Sequence, residues 1–209
     1  YLQTDGYDGY NAVVAAQQLT HVGCMAHARR RFSEAVKAQG KRGKTGKAHQ
    51  GLAYIQKLYR VETEARHLPP EQRRELRQER ATPILQQLRQ WLDQSLPQVP
   101  PGSATGKALQ YLHNEWDKLV VYLEDGRLEI DNNLAENAIR PFVTGRKNWM
   151  FSDSVAGVNA SANLYSLVET AKANGLEPYA YLRQVYEQLP RTNTVEAIEA
   201  LLPWRIDRT

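Results

Sequence analysis

The 209-residue sequence has a single cysteine, Cys24, and no long apolar run. One thiol excludes an internal disulfide and indicates a reducing compartment. His21 and His27 lie near Cys24, but no fourth ligand follows with zinc spacing. No stretch approaches the roughly 18 apolar residues of a membrane span, and no signal peptide is evident. These absences argue against secreted, zinc-finger and membrane-spanning proteins.

The net charge is only +4, but the basic residues are clustered. Three clusters lack neighbouring acids: Arg29, Arg30 and Arg31; Lys41, Arg42, Lys44 and Lys47 in "KRGKTGK"; and Arg146 with Lys147. Such clusters are candidate phosphate-binding sites, and the second is expected to be exposed and mobile. A fourth cluster, between Arg73 and Arg80, is interleaved with glutamate, which favours a solvated helix face.

The first residues of the chain predict a strand, a helix and a second strand. "YLQTD" is typical of a strand ending at Asp5, "NAVVAAQQL" of a short helix, and "THVGCMAH" of a second strand. This order predicts a βαβ unit and a parallel sheet. Asp5 would then lie at the carboxyl end of a strand, where ligand and catalytic groups collect. Taken alone, it is more typical of a turn or cap residue than of a functional one.

From Ala28 onward the apolar residues recur with helical spacing for about a hundred residues. An interruption is predicted near Pro83. This helical block separates the first strands from "FVTGRKNWMFS", which predicts a hairpin with Gly145 in its turn. Two helices then close the chain, with Gly175 ending the first and Pro178 beginning the second.

The stretch "DNNLAENAIRP" predicts a short helix that Asp131 caps and Pro141 ends. At about 100° per residue, its polar side carries Asn133, Glu136, Asn137 and Arg140. Its apolar side carries Leu134, Ala135, Ala138 and Ile139, which are expected to anchor the helix on the sheet. An ordinary surface helix with a Glu136–Arg140 pair explains this stretch by itself.

Asp5 and Glu136, on opposite sides of the helical block, suggest a shared site for metal ions. Mg²⁺ prefers carboxylates together with water and phosphate oxygens. Two ions about 4 Å apart can activate an attacking oxygen and stabilise a leaving one. A bridging third acid is usual, but spacing nominates none, since Asp8 and Asp131 are more typical of caps.

Five segments occur in order along nearly the whole chain: "TDGYDGY", "GCMAHARRRF", "DNNLAENAIRP", "GRKNWMFS" and "LLPW". Together they resemble the insertion sequence 66 family of bacterial DDE transposases. The resemblance implies an α/β fold that is mostly α by content, a partial ribonuclease-H-like fold with a large helical insertion. Residues 1–27 would be the second half of the core, 28–130 the insertion, and 131–209 the C-terminal part with closing helices.

The resemblance implies that Asp5 and Glu136 are the second and third acids of a catalytic triad that binds two Mg²⁺ or Mn²⁺ ions. The metal-bound water would attack in strand cutting and a DNA 3′ hydroxyl in joining. The first acid would lie on a strand before Tyr1, so we expect a fragment that is inactive alone. Two positions depart from the family pattern: Asn137 stands where the family usually has arginine, and Met25 stands where tryptophan is common.

The resemblance implies that the partner is DNA, both the ends of the element and the target. It implies a location in the bacterial cytoplasm, at the nucleoid. Self-association in a DNA complex is left open. The candidate DNA contacts are Arg29, Arg30, Lys41, Arg42, Lys44, Lys47, Asn133, Arg140, Arg146 and Lys147. The competing hypothesis is a non-catalytic basic helical module that binds nucleic acid or mediates oligomerisation.

Overall fold

The computed structural model of the chain describes residues 1–39, 46–149 and 153–206, without the side chains of residues 146–149. It divides into two compact units, Tyr1–Leu134 and Ala135–Thr209. The strands of the described residues are β1 (Leu2–Gln3) and β2 (His21–Val22). The helices are α1 (Asn11–Ala16), α2 (Met25–Gln39), α3 (Lys47–Ala65), α4 (Pro70–Leu76), α5 (Thr82–Ser95), α6 (Ala104–Asn114), α7 (Trp116–Val120), α8 (Asn133–Trp149), α9 (Val155–Ala173), α10 (Pro178–Gln188) and α11 (Val195–Glu199).

Of the described residues 74% are helical, so the expected predominance of helix is confirmed. Among the helices described, none combines the length and the apolar character that crossing a membrane requires.

The first unit begins with the predicted βαβ arrangement. Strands β1 and β2 pair in parallel, with Leu2 opposite His21, and α1 connects them. The second strand is shorter than "THVGCMAH" suggests, and the prediction of extended backbone to His27 is wrong. Gly23 N donates to the Lys118 carbonyl at 2.9 Å and Met25 N to the Ile130 carbonyl at 3.0 Å. The backbone after β2 therefore bonds to the helical block, and α2 begins at Met25.

The main hydrophobic core lies among α2, α3, α5 and α6. Helix α3 buries Ile55 and Leu58 at helical spacing, and the neighbouring helices contribute fully buried Phe32 and Leu88. Each large apolar side chain buried in this way stabilises the fold by about 1.5–3 kcal/mol. Helices α2 and α3 approach so closely that a Cβ at Gly51 would lie 2.5 Å from the Phe32 ring. Glycine at this position is thus a packing requirement.

The interruption predicted near Pro83 takes the form of a π-helical turn, Arg77–Ala81, between α4 and α5. Pro83 itself lies in the first turn of α5, where its missing N–H leaves no intrahelical bond unmade.

The π-helical turn places Arg77 inside the first unit, so the prediction of a solvated face is wrong for this residue. Its side chain is fully buried, and its Nε and Nη2 donate to the two carboxylate oxygens of Glu62 at 2.9 and 2.7 Å. The remaining N–H groups donate to the carbonyls of Tyr122, Asp125 and Leu128. All five guanidinium N–H groups are therefore used. They tie α3 to the segment that leads toward α8.

Helix α8 corrects two predictions, because Pro141 lies inside it and the described residues after Pro141 are helical up to Trp149. The predicted hairpin is therefore wrong over this range, and its last residues lie outside the described ones. An interior proline usually costs about 3 kcal/mol. The apolar spacing offsets this cost, since Ala138 and Phe142 continue one face past Pro141. Phe142 packs edge-on against Tyr165 of α9, with ring centroids 5.0 Å apart.

The expected anchoring of the apolar side of α8 on the sheet is wrong for Leu134, which lies in the first unit together with the sheet. Leu134 is 80% exposed and Ile139 is 61% exposed. Within the second unit, Ile139 and Phe142 instead line a groove of about 320 Å³ with residues of α9.

The second unit has its own small core of Ala171, Tyr181, Val185 and Leu201. The Tyr181 hydroxyl donates to the Leu201 carbonyl at 3.1 Å, which fastens the end of the chain to α10. Gly175 follows α9 with φ +73°, and Pro178 begins α10. Both helix boundaries were predicted and are confirmed.

Replacing Arg77 with Met tests its structural role, because the change leaves Glu62 and three carbonyls without their donors. We expect a loss of about 3–5 kcal/mol in the free energy of unfolding, as for a buried ion pair broken on one side. Urea denaturation measures it. Arg80→Met is the matched control on the same turn, since the Arg80–Glu64 pair is about half exposed and should contribute about 0–1 kcal/mol. Equal losses of unfolding free energy in the two variants would contradict the structural role of Arg77.

Candidate active site

Asp5 follows the carboxyl end of β1, in the first unit. The sheet ladder continues to Thr4, whose N–H donates to the Val22 carbonyl at 3.0 Å. Thr4 is buried, whereas Asp5 is exposed. The Oδ1 atom of Asp5 accepts a hydrogen bond from Tyr7 N at 3.1 Å, which closes a short turn. The strand therefore fixes the backbone of Asp5 and leaves its carboxylate facing solvent.

The helical block holds the backbone of Asp5 from the other side. The Tyr111 hydroxyl of α6 donates to the Asp5 carbonyl at 3.1 Å, and the Arg31 guanidinium lies 4.3 Å from the Tyr111 ring centroid. Burial, with the nearby charge of Glu115, raises the pKa of Tyr111 to about 12. The hydroxyl therefore keeps its proton and remains a donor. Gly6 adopts φ +85°, and a Cβ there would lie 3.2 Å from the Tyr111 oxygen.

His21 lies on β2 beside the same strand end. Its Nε2 atom is 2.6 Å from the Thr4 hydroxyl oxygen. Burial and the neighbouring Lys118 lower the pKa of His21, while Glu115 opposes them. Lys118 and Glu115 form an ion pair at 3.0 Å. These surroundings favour the neutral form of the ring.

Asp131 caps the start of α8, as its position in "DNN" predicts. Its Oδ1 atom accepts from Asn133 N at 3.1 Å, and its Oδ2 atom accepts from the Tyr59 hydroxyl at 2.8 Å. Burial, then the bond to Asp131, raises the pKa of Tyr59. Asn132 N donates to the sulfur of buried Cys24 at 3.2 Å. Both oxygens of Asp131 are engaged in structural bonds, which fits a capping role.

Glu136 lies in the first turn of α8, in the second unit, and is half-buried. Asn133 and Arg140 lie one turn before and after it on the same side of the helix, and both are exposed. Asp5 and Glu136 belong to different units, so their convergence on one metal site stays a prediction.

The other candidate contacts lie on α2, α3 and α8 or outside the described residues. Arg29 and Arg30 are exposed on α2. Lys47 begins α3, is half-buried, and donates from Nζ to the buried Ser95 hydroxyl at 3.1 Å, so the expected exposure is wrong for it. Lys41, Arg42 and Lys44 lie outside the described residues. Arg146 and Lys147 lie on α8.

Sequence reasoning did not nominate Tyr111 or Tyr59. Both lie in helices, at positions that fit the spacing of an ordinary amphipathic helix. The available signal is chemical: a tyrosine at the edge of a core usually finds a partner for its hydroxyl. Here the partners are the Asp5 carbonyl and the Asp131 carboxylate.

The comparison with known proteins identifies the family. Residues 1–160 match the family described as Transposase IS66 family, and residues 166–204 match the IS66 C-terminal element. The chain belongs to the IS66 transposase family. The first match includes both Asp5 and Glu136. No solved structure matches the chain significantly.

Three relatives come from Sinorhizobium fredii (strain NBRC 101917 / NGR234). The uncharacterized protein y4jD is 34% identical over 97% of this chain and 40% of its own length. The uncharacterized protein y4qI is 34% identical over 97% of this chain and 38% of its own length. The uncharacterized protein y4hP is 29% identical over 99% of this chain and 40% of its own length. The IS66-family chain therefore spans about two fifths of the length of these relatives.

The lowered pKa of His21 predicts a pH-dependent stability. The folded-state pKa lies below the ordinary value of 6.5, so the folded state binds fewer protons than the unfolded one. The stability that the neutral ring contributes is fully present above pH 6.5 and is lost as the pH falls from there toward the folded-state pKa. Urea denaturation between pH 8 and 5 should show His21→Gln losing less stability than the parent. His67→Gln, at an exposed position, is the control, and an identical pH profile for the two variants would contradict the prediction.

Proposed function

We propose that the chain is the catalytic portion of a DNA transposase, in which Asp5 and Glu136 together hold divalent metal ions for cutting and joining DNA strands. The observation that carries the proposal is the family match over residues 1–160. It spans both acids and the helical block between them. The exposed carboxylate of Asp5, at the carboxyl end of β1, supports it.

A ribonuclease-H-like core is part of the proposal. The parallel pairing of β1 with β2 across α1 supports it, because catalytic groups in open parallel sheets collect at the carboxyl ends of the strands. Residues 1–27 would supply part of this core, 28–130 the inserted helical block, and 131–209 the remainder with the closing helices.

The two acids fit a site for Mg²⁺ or Mn²⁺. Both offer carboxylate oxygens, the ligands that these hard cations prefer. The strand end and the Tyr111 hydroxyl fix the backbone of Asp5, so its carboxylate needs little reorganisation to bind. When bound, the ions would activate the attacking oxygen and stabilise the leaving one.

The other polar residues of α8 would position DNA. Arg140, exposed one turn after Glu136, would bind a phosphate or hold the Glu136 carboxylate in place. Asn133, exposed at the start of the helix, would donate its amide to a backbone oxygen. Asn137 brings no charge where the family pattern has arginine, so Arg140 is the main cation of this face.

DNA, as element ends and target, is the partner of this activity, which places the protein in the bacterial cytoplasm at the nucleoid. Self-association in the DNA complex fits the need to hold two ends together. The second candidate is a basic helical module without catalysis, which the clustered arginines would also serve.

The test uses the full-length transposase that contains this chain, with a linear DNA carrying the element ends and Mg²⁺ or Mn²⁺. Asp5→Asn and Glu136→Gln preserve side-chain size but remove the charge that binds the metal. We expect each change to abolish strand cleavage and to leave gel-shift affinity for DNA nearly unchanged.

Glu79→Gln and Asp117→Asn, at exposed positions of the helical block, are the matched controls and should cleave like the parent. Cleavage at the parent's rate by Glu136→Gln would reduce Glu136 to a helix-surface residue. DNA binding without metal-dependent cleavage by the parent itself would favour the non-catalytic module.

A further inference from the structure

A polar groove runs along the outer face of α3, within the first unit. One part is a hollow of about 330 Å³ lined by Arg29, Gln56, Tyr59, Arg60 and Thr63. It shares Tyr59 and Thr63 with a second hollow of about 450 Å³ that Arg66 also lines. These six residues define one continuous surface, the α3 groove.

The groove follows from the pattern of α3. Gln56, Arg60 and Thr63 recur every three or four residues, so they share one side of the helix. At about 100° per residue, this side lies nearly opposite the buried side of Ile55 and Leu58. The sequence therefore presents a basic, hydroxyl-bearing face where a core helix meets solvent.

Two of the three acids that line the two hollows are already paired with arginines outside the six groove residues. Glu62 binds the buried Arg77 at 2.7 Å, and Glu129 binds Arg73 at 3.0 Å. Asp131 accepts from the Tyr59 hydroxyl and from a backbone N–H. The charges of Glu62 and Glu129 are therefore already balanced, and the single charge of Asp131 is smaller than that of the three groove arginines.

The cations of the groove have no such partners. Arg29, Arg60 and Arg66 are exposed, and no ion pair joins them to a carboxylate within the described part of the chain. The Arg29 guanidinium lies 5.3 Å from the Tyr59 ring centroid, which restricts its movement. The groove thus carries a local excess of positive charge with one cation already oriented.

This chemistry suits a chain of phosphates. Guanidinium groups bind phosphate oxygens in a bidentate manner, and an amide side chain such as that of Gln56 adds hydrogen bonds to the backbone. Arg60 and Arg66 are separated by about 9 Å along the helix, from 1.5 Å per residue. One DNA strand carries a charge about every 3.4 Å along its axis, so the two arginines would meet different phosphates of an extended ligand.

We propose that the α3 groove binds the sugar–phosphate backbone of DNA through Arg29, Arg60 and Arg66, independently of base sequence. The choice of DNA as the ligand rests on the proposed function. The surface itself adds Arg60 and Arg66 to the interface and gives the helical block a direct role in holding DNA.

The test compares two double variants of the 209-residue chain that lose the same charge. Arg60→Gln with Arg66→Gln alters the groove. Arg80→Gln with Arg89→Gln removes two arginines that pair with Glu64 and Asp93 on exposed surface. Fluorescence anisotropy with a duplex of arbitrary sequence, at several salt concentrations, gives the slope of log K against log salt. Circular dichroism verifies that both variants keep the parent's helix content.

Loss of two phosphate contacts should flatten the slope by about 1.8 for the groove variant, at about 0.9 per contact. The control should keep the parent's slope. Equal flattening in both variants, or the parent's slope in the groove variant, would overturn the groove assignment and leave the catalytic proposal standing. Absence of salt-dependent DNA binding by the parent would also overturn the groove assignment, whereas the catalytic proposal is decided separately by the cleavage assay on the full-length protein.

Discussion

The buried guanidinium of Arg77 is the interaction on which the first unit depends. It joins Glu62 of α3 to the carbonyls of Tyr122, Asp125 and Leu128, in the segment that leads to α8. A buried charge is tolerated only when it is paired and fully hydrogen-bonded, so these groups must assemble together. The same bonds fix the backbone of the segment that leads to Asp131. The carboxylate of Asp131 then caps α8.

The helical block and the strand end are physically one structure. The Tyr111 hydroxyl bonds the Asp5 carbonyl, and Gly23 N bonds the Lys118 carbonyl. The helical block therefore does more than separate two acids along the chain. It fixes the backbone from which Asp5 projects, and its outer face on α3 carries the uncompensated arginines. Support for a catalytic residue and a surface for DNA would thus come from one packed set of helices.

Sequence reasoning succeeded where one local signal dominated. The order of strand, helix and strand predicted the parallel pairing across α1, and Gly175 and Pro178 marked helix boundaries. It failed where tertiary contacts overrode a local rule. Pro141 predicts a helix end, yet the apolar face continues to Phe142, which packs on Tyr165.

Arg77 illustrates a second reason for failure. Arginine and glutamate that alternate along a helix predict a solvated face, and sequence spacing does not reveal that a π-helical turn rotates one arginine inward. The two candidate acids were predicted from local signals: Asp5 from the end of a strand, and Glu136 from the motif "DNNLAENAIRP". The Tyr111 bond to Asp5 depends on a contact across 106 residues of sequence, which no local pattern contains.

The central claim is that Asp5 and Glu136 bind metal ions together. The most direct measurement is the anomalous diffraction of Mn²⁺ in crystals of the full-length transposase. The account predicts metal peaks coordinated by both carboxylates, which would lie within roughly 8 Å of one another around ions about 4 Å apart. Mn²⁺ bound elsewhere, with the two carboxylates on opposite faces of the protein, would contradict it.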